Sequence, residues 1–377
     1  MTRSLDLSAR RLLAMARKET LQLKRDYRSL ITAFVYPALM IVFFGYVITF
    51  DIRDINLAVY DQDGSQRSRE LIQAFQAAGY FRVTQRLDRY QDIQPLLDRG
   101  AVRLALVIPP GFQRDLSAGR PAAVQALVDG ADANTAAIAL NYAGGIVTAY
   151  SARVLLRASQ GSVPVVAQAR VWYNETLKSS NMVVPGLIAV IMMVIAAMLT
   201  ALTVAREWDR GTMEQLAATP VHRVEVILGK LLPYLVIGLI DVIAAVAIGL
   251  LLFQVPFRGN PVLLVGLAAL FLVGSLGMGI FISAATKTQL LATQVSLLAT
   301  YIPSLLLSGL IFDLASMPFA LRVISLVVPA RYFVVVVRGI FLKGVGPEVL
   351  WIQGLAMIAF AAIGLTLAVR AFRKEIA

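Results

Sequence analysis

Residues 182–220 read MVVPGLIAVIMMVIAAMLTALTVAREWDRGTMEQLAATP, and this stretch decides the fold class. Its first part, 182–204, is apolar and carries no charge, whereas four of the next six residues are charged. A helix needs roughly 20 apolar residues to cross about 30 Å of hydrocarbon. The stretch therefore predicts a transmembrane helix that ends in a charged segment at the membrane surface.

Five further apolar runs are long enough to cross a membrane, and the whole composition agrees with them. The chain of 377 residues is 58% hydrophobic and 15% charged, with a mean hydropathy of +0.72, whereas soluble chains average about 45–50% apolar and about 25% charged residues. The sequence predicts a polytopic α-helical membrane protein with six transmembrane helices, of which the other five are the runs 29–50, 231–257, 261–286, 288–312 and 349–369.

The net charge of +12 is concentrated where a membrane protein contacts the cytoplasm. Residues 1–28 hold eight Lys and Arg against three Asp and Glu, and the tail 371–377 adds Arg373 and Lys374. Basic residues that flank membrane spans mark the cytoplasmic side, and six spans return the chain to the side where it started. We expect a multi-pass protein of the cytoplasmic (inner) membrane with both termini in the cytoplasm, membrane lipids around it and no nucleic acid as a partner.

Two segments outside the spans have their own patterns. Residues 8–28 place apolar side chains at three- and four-residue spacing between basic ones, which predicts a cytoplasmic amphipathic helix in the membrane interface; a helix free in the cytoplasm is the alternative. Residues 313–347 are basic, and the apolar runs within them are too short to cross a membrane. A re-entrant segment on the outer side fits them, because irregular backbone at membrane depth needs protein or a water-filled cavity around it.

Residues 51–181 predict a separate α/β domain between the first two spans. Short alternating or apolar strands and longer helical patterns follow one another there. Since an outward and an inward span flank the domain, we expect it outside the cytoplasm. The predicted strands are 55–61, 102–109, 124–130 and 165–174, and the predicted helices are 65–78 and 134–158.

The segment 205–230 joins the second and third spans, and its turn residues predict a short helix of its own. Gly211 ends the preceding helix because glycine tolerates the left-handed conformation found after helix ends. Thr212 and Gln215 have capping-box spacing, and Pro220 stops the new helix. Met213 and Leu216 share one face of it, and Glu214 is exposed. An ordinary solvated loop with charges that snorkel to the surface is the alternative.

The run AREWDRGTMEQLAATPVHRVEVILGKLLPY (205–234) resembles the cytoplasmic loop of type 2 ABC exporter permeases, in which a coupling helix docks on the ATPase subunit. LLLSGLIFDLASMP (305–318) and VPARYFVVVVRGIFLKG (328–344) resemble the same family, as do VIPPGFQRDLSAG and VDGADANTA in members with a large domain after the first span. The resemblance implies that the ATPase-docking residues are Glu207, Arg210, Gly211, Thr212, Met213, Glu214, Gln215, Leu216 and Pro220.

The resemblance also implies partners. Two ATPase subunits would bind ATP and Mg²⁺, because no stretch of this chain reads GxxxxGK followed by Ser or Thr. The chain itself is then neither an enzyme nor bound to a cofactor. A second permease copy or a paralogue completes the membrane domain, and a periplasmic adaptor is a candidate partner. The branch with a large ectodomain implies efflux of drugs or small amphiphilic compounds, with lipids or ions as alternatives.

Candidate pathway residues come from the spans. Asp241 lies near the middle of the third span, where an ionisable residue is a functional candidate by default, although a hydrogen-bonded packing role is equally open. Methionines suit adaptable apolar surfaces, and each could instead be core or lipid-facing. The remaining candidates are Met192, Met193, Gln294, Tyr301, Ser304 and Ser308.

Other function classes are less consistent with the sequence. A secondary transporter would need several buried charges and inverted repeats. A membrane-anchored sensor or envelope-assembly protein would not need the short cytoplasmic helix. With no cysteine and with His222 as the single histidine, no metal site is predicted.

Overall fold

The computed structural model describes residues 8–48, 54–130, 133–158, 178–312 and 314–372. It divides into two compact units. The membrane unit combines the chain up to Thr49 with the chain from Trp172 onward, and the inserted unit is Phe50–Val171 between them.

The membrane unit begins with helices α1 (Ala9–Arg25) and α2 (Tyr27–Val47). The predicted amphipathic helix is present, but it ends at Arg25 because Asp26 starts the next helix. The carboxylate of Asp26 accepts hydrogen bonds from Ser29 N at 3.2 Å and from Ser29 Oγ at 2.7 Å. Such a cap satisfies one of the free N–H groups at a helix start.

The inserted unit is an α/β fold built on a four-stranded sheet of order β2-β1-β3-β4. Strand β1 pairs in parallel with β2 and β3, and β3 pairs antiparallel with β4. Apolar residues of the sheet and of the helices α3 and α6 form one buried cluster. In chain order the elements are β1 (Ile55–Asp61), α3 (Gln66–Ala77), β2 (Phe81–Arg86), α4 (Ile93–Asp98), β3 (Leu104–Ile108), α5 (Phe112–Ser117), β4 (Gln125–Val128) and α6 (Ala133–Ala158).

Three of the four predicted strands and both predicted helices of this unit are confirmed. The fourth predicted strand, 165–174, lies outside the described residues. Strand β2 was not predicted: its sequence FRVTQR is largely polar, and only Phe81 is buried. Because this edge strand buries so few side chains, its sequence shows no clear alternation of apolar and polar residues.

The described remainder of the membrane unit is mostly helical, and six helices among the described residues are long and apolar enough to cross a membrane. They are α2 and five of the later helices, which confirms a polytopic helical membrane protein. The later helices are α7 (Ser179–Asp209), α8 (Met213–Ala217), α9 (Arg223–Leu251), α10 (Pro261–Thr286), α11 (Gln289–Leu307), α12 (Phe319–Ser325), α13 (Pro329–Arg338) and α14 (Pro347–Ala371).

Helix α7 is the centre of the membrane unit. In its most apolar window 89% of the residues are buried, against 22% for α2, α11 and α14. Its closest contact is with α10: Thr200 Oγ1 donates to Leu276 O at 2.9 Å, and Gly279 lies against Ala197 and Thr200, where a Cβ would not fit. Small residues allow membrane helices to approach closely.

The long helices extend beyond the predicted apolar runs where charged residues find partners inside the unit. Helix α7 continues through the charged residues to Asp209, and α9 begins at Arg223 rather than at residue 231. The predicted segment 205–230 is therefore mostly helix, and only the residues between Asp209 and Arg223 join the two spans.

Helix α11, by contrast, is shorter than the predicted run 288–312. It ends at Leu307, shortly before Gly309, whose φ of +80° is left-handed.

Helices α12 and α13 form a bent pair within the predicted re-entrant segment. The helical stretches Phe319–Ser325 and Pro329–Lys343 meet at 79°, so that they are either one broken span or a re-entrant loop. Arg338 connects the pair to two spans: its guanidinium donates to Met182 O at 3.0 Å, to Gly309 O at 3.0 Å and to Leu310 O at 3.3 Å. Gly309 and Leu310 follow the end of α11, where carbonyl groups have no intrahelical partner, and Met182 lies in the first turn of α7.

Candidate functional site

The segment between α7 and α9 forms a compact turn, then the short helix α8. Gly211 has the predicted left-handed conformation, with φ of +67°. Gly211 N donates to Trp208 O at 3.1 Å, and Thr212 N donates to Glu207 O at 3.0 Å. These two bonds are the Schellman pattern of a helix C-terminus, and they fix the direction in which α8 leaves α7.

Thr212 was predicted to cap α8 with Gln215 in a capping box, and this prediction is wrong. Thr212 has helical backbone angles, with φ of −81° and ψ of −5°, and makes no side-chain cap. Its N–H closes the end of α7 instead, and its hydroxyl donates to the same Glu207 carbonyl at 3.4 Å. The capping box lies ten residues later, where His222 N donates to Glu225 Oε2 at 2.8 Å and the His222 side chain accepts from Val224 N.

The predicted docking residues separate into a buried and an exposed set. Met213 and Leu216 are 2% and 4% exposed, and Glu207 is 4% exposed, so their side chains pack inside the chain. The expectation that these three contact an ATPase directly is therefore corrected for this conformation. Thr212 is half-buried, and the exposed residues are Arg210, Gly211, Glu214, Gln215 and Pro220.

Glu207 belongs to a buried ion-pair network that joins α1, α7 and α9. Lys230 Nζ donates to Glu19 Oε2 at 3.1 Å and to Glu207 Oε1 at 3.0 Å. Lys18 Nζ contacts the same Glu207 oxygen at 2.9 Å, and Tyr234 Oη donates to Glu19 Oε1 at 3.4 Å. Lys230 is 0% exposed. A charge buried this deeply requires partners, and here they come from two other helices, α1 and α7.

A second ion pair holds the start of α1 against the start of α9. Arg11 contacts Glu225 through Nε at 3.0 Å and through Nη2 at 2.9 Å, and Ser8 N donates to Glu225 Oε1 at 2.7 Å. The two helices touch between these pairs, because a Cβ on Gly229 would lie 2.6 Å from Met15 Cβ. The close approach and the charged pairs fix α1 on α9.

A third pair joins the α1–α2 junction to α7. Arg206 Nη1 lies 2.8 Å from Asp26 Oδ2. Burial raises the pKa of the Asp26 carboxyl, but the hydrogen bonds from Ser29 and the Arg206 guanidinium outweigh it, and the net pKa lies below the usual value of 3.8. Asp26 is therefore ionised when the pair forms.

These contacts join α1 to the end of α7 and to the first turns of α9, on either side of the segment that carries α8. Among the residues missed from the sequence are Lys18, Glu19, Glu225 and Lys230. One signal was available: Glu19 shares the buried face of α1 with Met15 and Leu23, and a carboxylate on an apolar face needs a partner.

The predicted pathway residues do not converge on one place. Ser304 Oγ donates to Met193 Sδ at 3.2 Å, which joins α11 to α7. Ser308 is buried and its hydroxyl accepts from Leu310 N at 3.3 Å. The structure leaves Gln294 exposed and Tyr301 half-buried, and it buries Met192.

Asp241 is separate from that group. It lies on α9, whose main packing partners are α1, α2, α7 and α10 rather than α11. The side chain is buried, with the residue 3% exposed. Within the described part of the chain Asp241 has no hydrogen bond and no ion pair, so the structure does not support the hydrogen-bonded packing role.

Comparison with known proteins gives one consistent family. The family profile described as ABC-2 family transporter protein matches residues 27–370. The probable multidrug ABC transporter permease YbhS of Escherichia coli K12 is 36% identical over 364 residues, which cover 96% of each chain. The probable multidrug ABC transporter permease YbhR of the same strain is 29% identical over 97% of this chain and 99% of its own. The inner membrane transport permease YhhJ is 28% identical over 85% of each chain.

Proposed function

This chain belongs to the ABC-2 family of transporter proteins, and we propose that it is the membrane subunit of an exporter that moves drugs or small amphiphilic compounds out of the cell, driven by a separate ATPase. The six candidate spans in the described part of the chain make it a multi-pass membrane protein. Two relatives that cover nearly the whole chain are named as probable multidrug ABC transporter permeases, which supports this substrate class over lipids or ions.

The observation that carries the proposal is the exposed segment around α8 on its buried support. Arg210, Glu214 and Gln215 face outward, while Met213 and Leu216 anchor the helix inward. An ATPase that pushes on this surface would move α7 and α9 together, because Glu207 and Lys230 are joined beneath it. A solvated loop would need no such support.

The proposal includes the orientation of the chain in the membrane and the subunits of its complex. The segment around α8 and both termini face the cytoplasm, the inserted unit lies outside, and the α12–α13 pair is a re-entrant segment at the outer side. Two ATPase subunits bind ATP and Mg²⁺, and a second copy of the chain or a paralogue completes the membrane domain. A periplasmic adaptor remains a candidate partner of the inserted unit.

The substrate path follows α7 and α11 in this proposal. The contact between Met193 and Ser304 lies where these helices meet, and the exposed Gln294 is on the same helix as Ser304. Asp241 offers a buried carboxylate without a partner in the described part of the chain, which suits a group that meets a cationic substrate during transport. A sensor or envelope-assembly role is less favoured, because the relatives named above are permeases.

The test is the association of the chain with ATPase subunits in its native membranes. Glu214→Arg reverses one exposed charge and touches no span, so we expect normal insertion with loss of a co-purifying ATPase. Removing an interface anchor commonly costs about 2 kcal/mol or more, about a thirtyfold loss of affinity. Glu348→Arg, an exposed position at the start of α14, is the matched control. Unchanged ATPase occupancy in Glu214→Arg would contradict docking at this surface.

A further inference from the structure

A polar cleft lies at the end of the membrane unit where α1 meets α2. Its other walls are the last turns of α7 and the first turns of α11, and its volume is about 740 Å³. Small-molecule sites generally occupy about 300–1,000 Å³, so the cleft is large enough for a ligand group. None of the three ion pairs described above fills it.

The cleft has an excess of positive charge. Arg25, Arg206 and Arg210 line it together with a single carboxylate, that of Asp26. Arg206 is neutralised by Asp26 at 2.8 Å. The side chains of Arg25 and Arg210 are exposed and make no ion pair or hydrogen bond to any other residue that the structure describes. Two guanidinium groups are thus available for an anion.

The inner wall of the cleft is apolar. Met198, Leu199 and Leu202 of α7 form it, and two of the neighbouring helices carry large exposed apolar residues. On α2 these include Ile31 and Val35, which are 53% and 54% exposed. Both side chains lie outside the lining of the cleft, on the exposed surface of α2, which is a candidate span. An occupant of the cleft meets guanidinium groups at one side and apolar side chains at the other.

We propose that this cleft binds the phosphate-bearing headgroup of an anionic phospholipid, with the acyl chains along the exposed surface of α2. A guanidinium group binds phosphate oxygens through two parallel hydrogen bonds, which a zwitterionic headgroup with its own cation offers less readily. The site needs only that the chain be in a membrane, so it stands whether or not the chain exports drugs.

The experiment titrates the purified full-length chain in detergent with phosphatidylglycerol and counts bound lipids by native mass spectrometry. Phosphatidylcholine with the same acyl chains is the comparison lipid. Replacing both Arg25 and Arg210 with Gln should weaken phosphatidylglycerol binding about thirtyfold, which corresponds to about 1 kcal/mol for each basic residue near a membrane surface. Each single variant should lose about fivefold.

The matched control replaces Arg10 and Arg17 with Gln. Both residues are exposed on helix α1, and neither lines the cleft. Their replacement removes the same number of positive charges as the cleft variant does. We expect less than about a threefold change, because a non-specific surface attraction is weak once the detergent and salt screen it. A loss equal to that of the cleft variant would overturn the proposal, since it would mean that any basic surface residue attracts the lipid.

Two further arms separate the sources of the phosphate. Inorganic phosphate and glycerol 3-phosphate, added at concentrations equal to that of the lipid, should not displace phosphatidylglycerol, because they lack the acyl chains that contact α2. Displacement at equal concentration would identify a site for free anions and overturn the lipid assignment. Equal affinity for phosphatidylcholine would also overturn it. No ATPase or transport readout is used, so failure here leaves the proposed function untouched.

Discussion

Replacing Lys230 with Met tests the buried network most directly. Lys230 is 0% exposed and binds both Glu19 and Glu207. Methionine is also unbranched and is one atom shorter than lysine, and it removes the charge. Two buried carboxylates then lose a partner, although Glu207 keeps Lys18 at 2.9 Å. Breaking a buried pair by removing one partner costs about 3–5 kcal/mol, and we expect a loss in this range in the free energy of unfolding.

The loss in the free energy of unfolding in Lys230→Met should depend on the carboxylates that remain. If the cost comes from uncompensated charge, the added change Glu19→Gln should restore part of the stability in Lys230→Met, although Glu19→Gln alone is destabilising. The comparison is a double-mutant cycle, which isolates the pairwise coupling. We expect a coupling of about 1–3 kcal/mol with this sign.

Lys18→Met is the matched control for these variants. Lys18 binds the same Glu207 oxygen, but its side chain is 41% exposed, and exposed pairs contribute about 0–1 kcal/mol. The assay is denaturant unfolding in detergent, followed by tryptophan fluorescence. A loss below about 1 kcal/mol in Lys230→Met, or equal losses in Lys230→Met and Lys18→Met, would refute the account of a buried network that needs its lysine.

Three further predictions test other parts of the structure. Gly229→Leu should release α1 from α9, seen as faster proteolysis of α1, because even a Cβ would lie 2.6 Å from a neighbouring side chain; Gly266→Leu, where nothing lies within 4 Å, is the control. The pKa of Asp26 in the folded protein is lowered from 3.8. The ionised carboxylate therefore stabilises the fold above pH 3.8, and this contribution is lost as the pH falls through the folded pKa. Asp26→Asn should remove this part of the dependence of the free energy of unfolding on acid pH. Single cysteines at Gln66 and Gln215 should react with impermeant reagents from outside and inside respectively, since the chain has no cysteine of its own; reaction of both from outside intact cells would contradict the proposed topology.

The sequence by itself determined the features that depend on local physics. The thickness of the bilayer sets the length of an apolar run, so the six spans could be found without knowledge of what each packs against. Gly211 and Pro220 likewise act on their own backbone, and the turn after α7 followed from them. In the inserted unit, β1, β3 and β4 could be found because each has a largely apolar sequence.

Tertiary structure alone decided which charges are buried and with what. Glu207 and Lys230 are 23 residues apart, and Glu19 and Lys230 are 211 apart, so no local pattern shows that they meet. A carboxylate at the end of a span can reach solvent or pair inside, and both outcomes leave the same sequence signal. The family resemblance placed Glu207 among the docking residues, whereas the packing of α1 against α7 and α9 encloses its side chain. Thr212 shows the same limit at shorter range: its N–H can serve the end of one helix or its hydroxyl the start of the next, and the geometry of the α7 terminus, set by packing, selects the first.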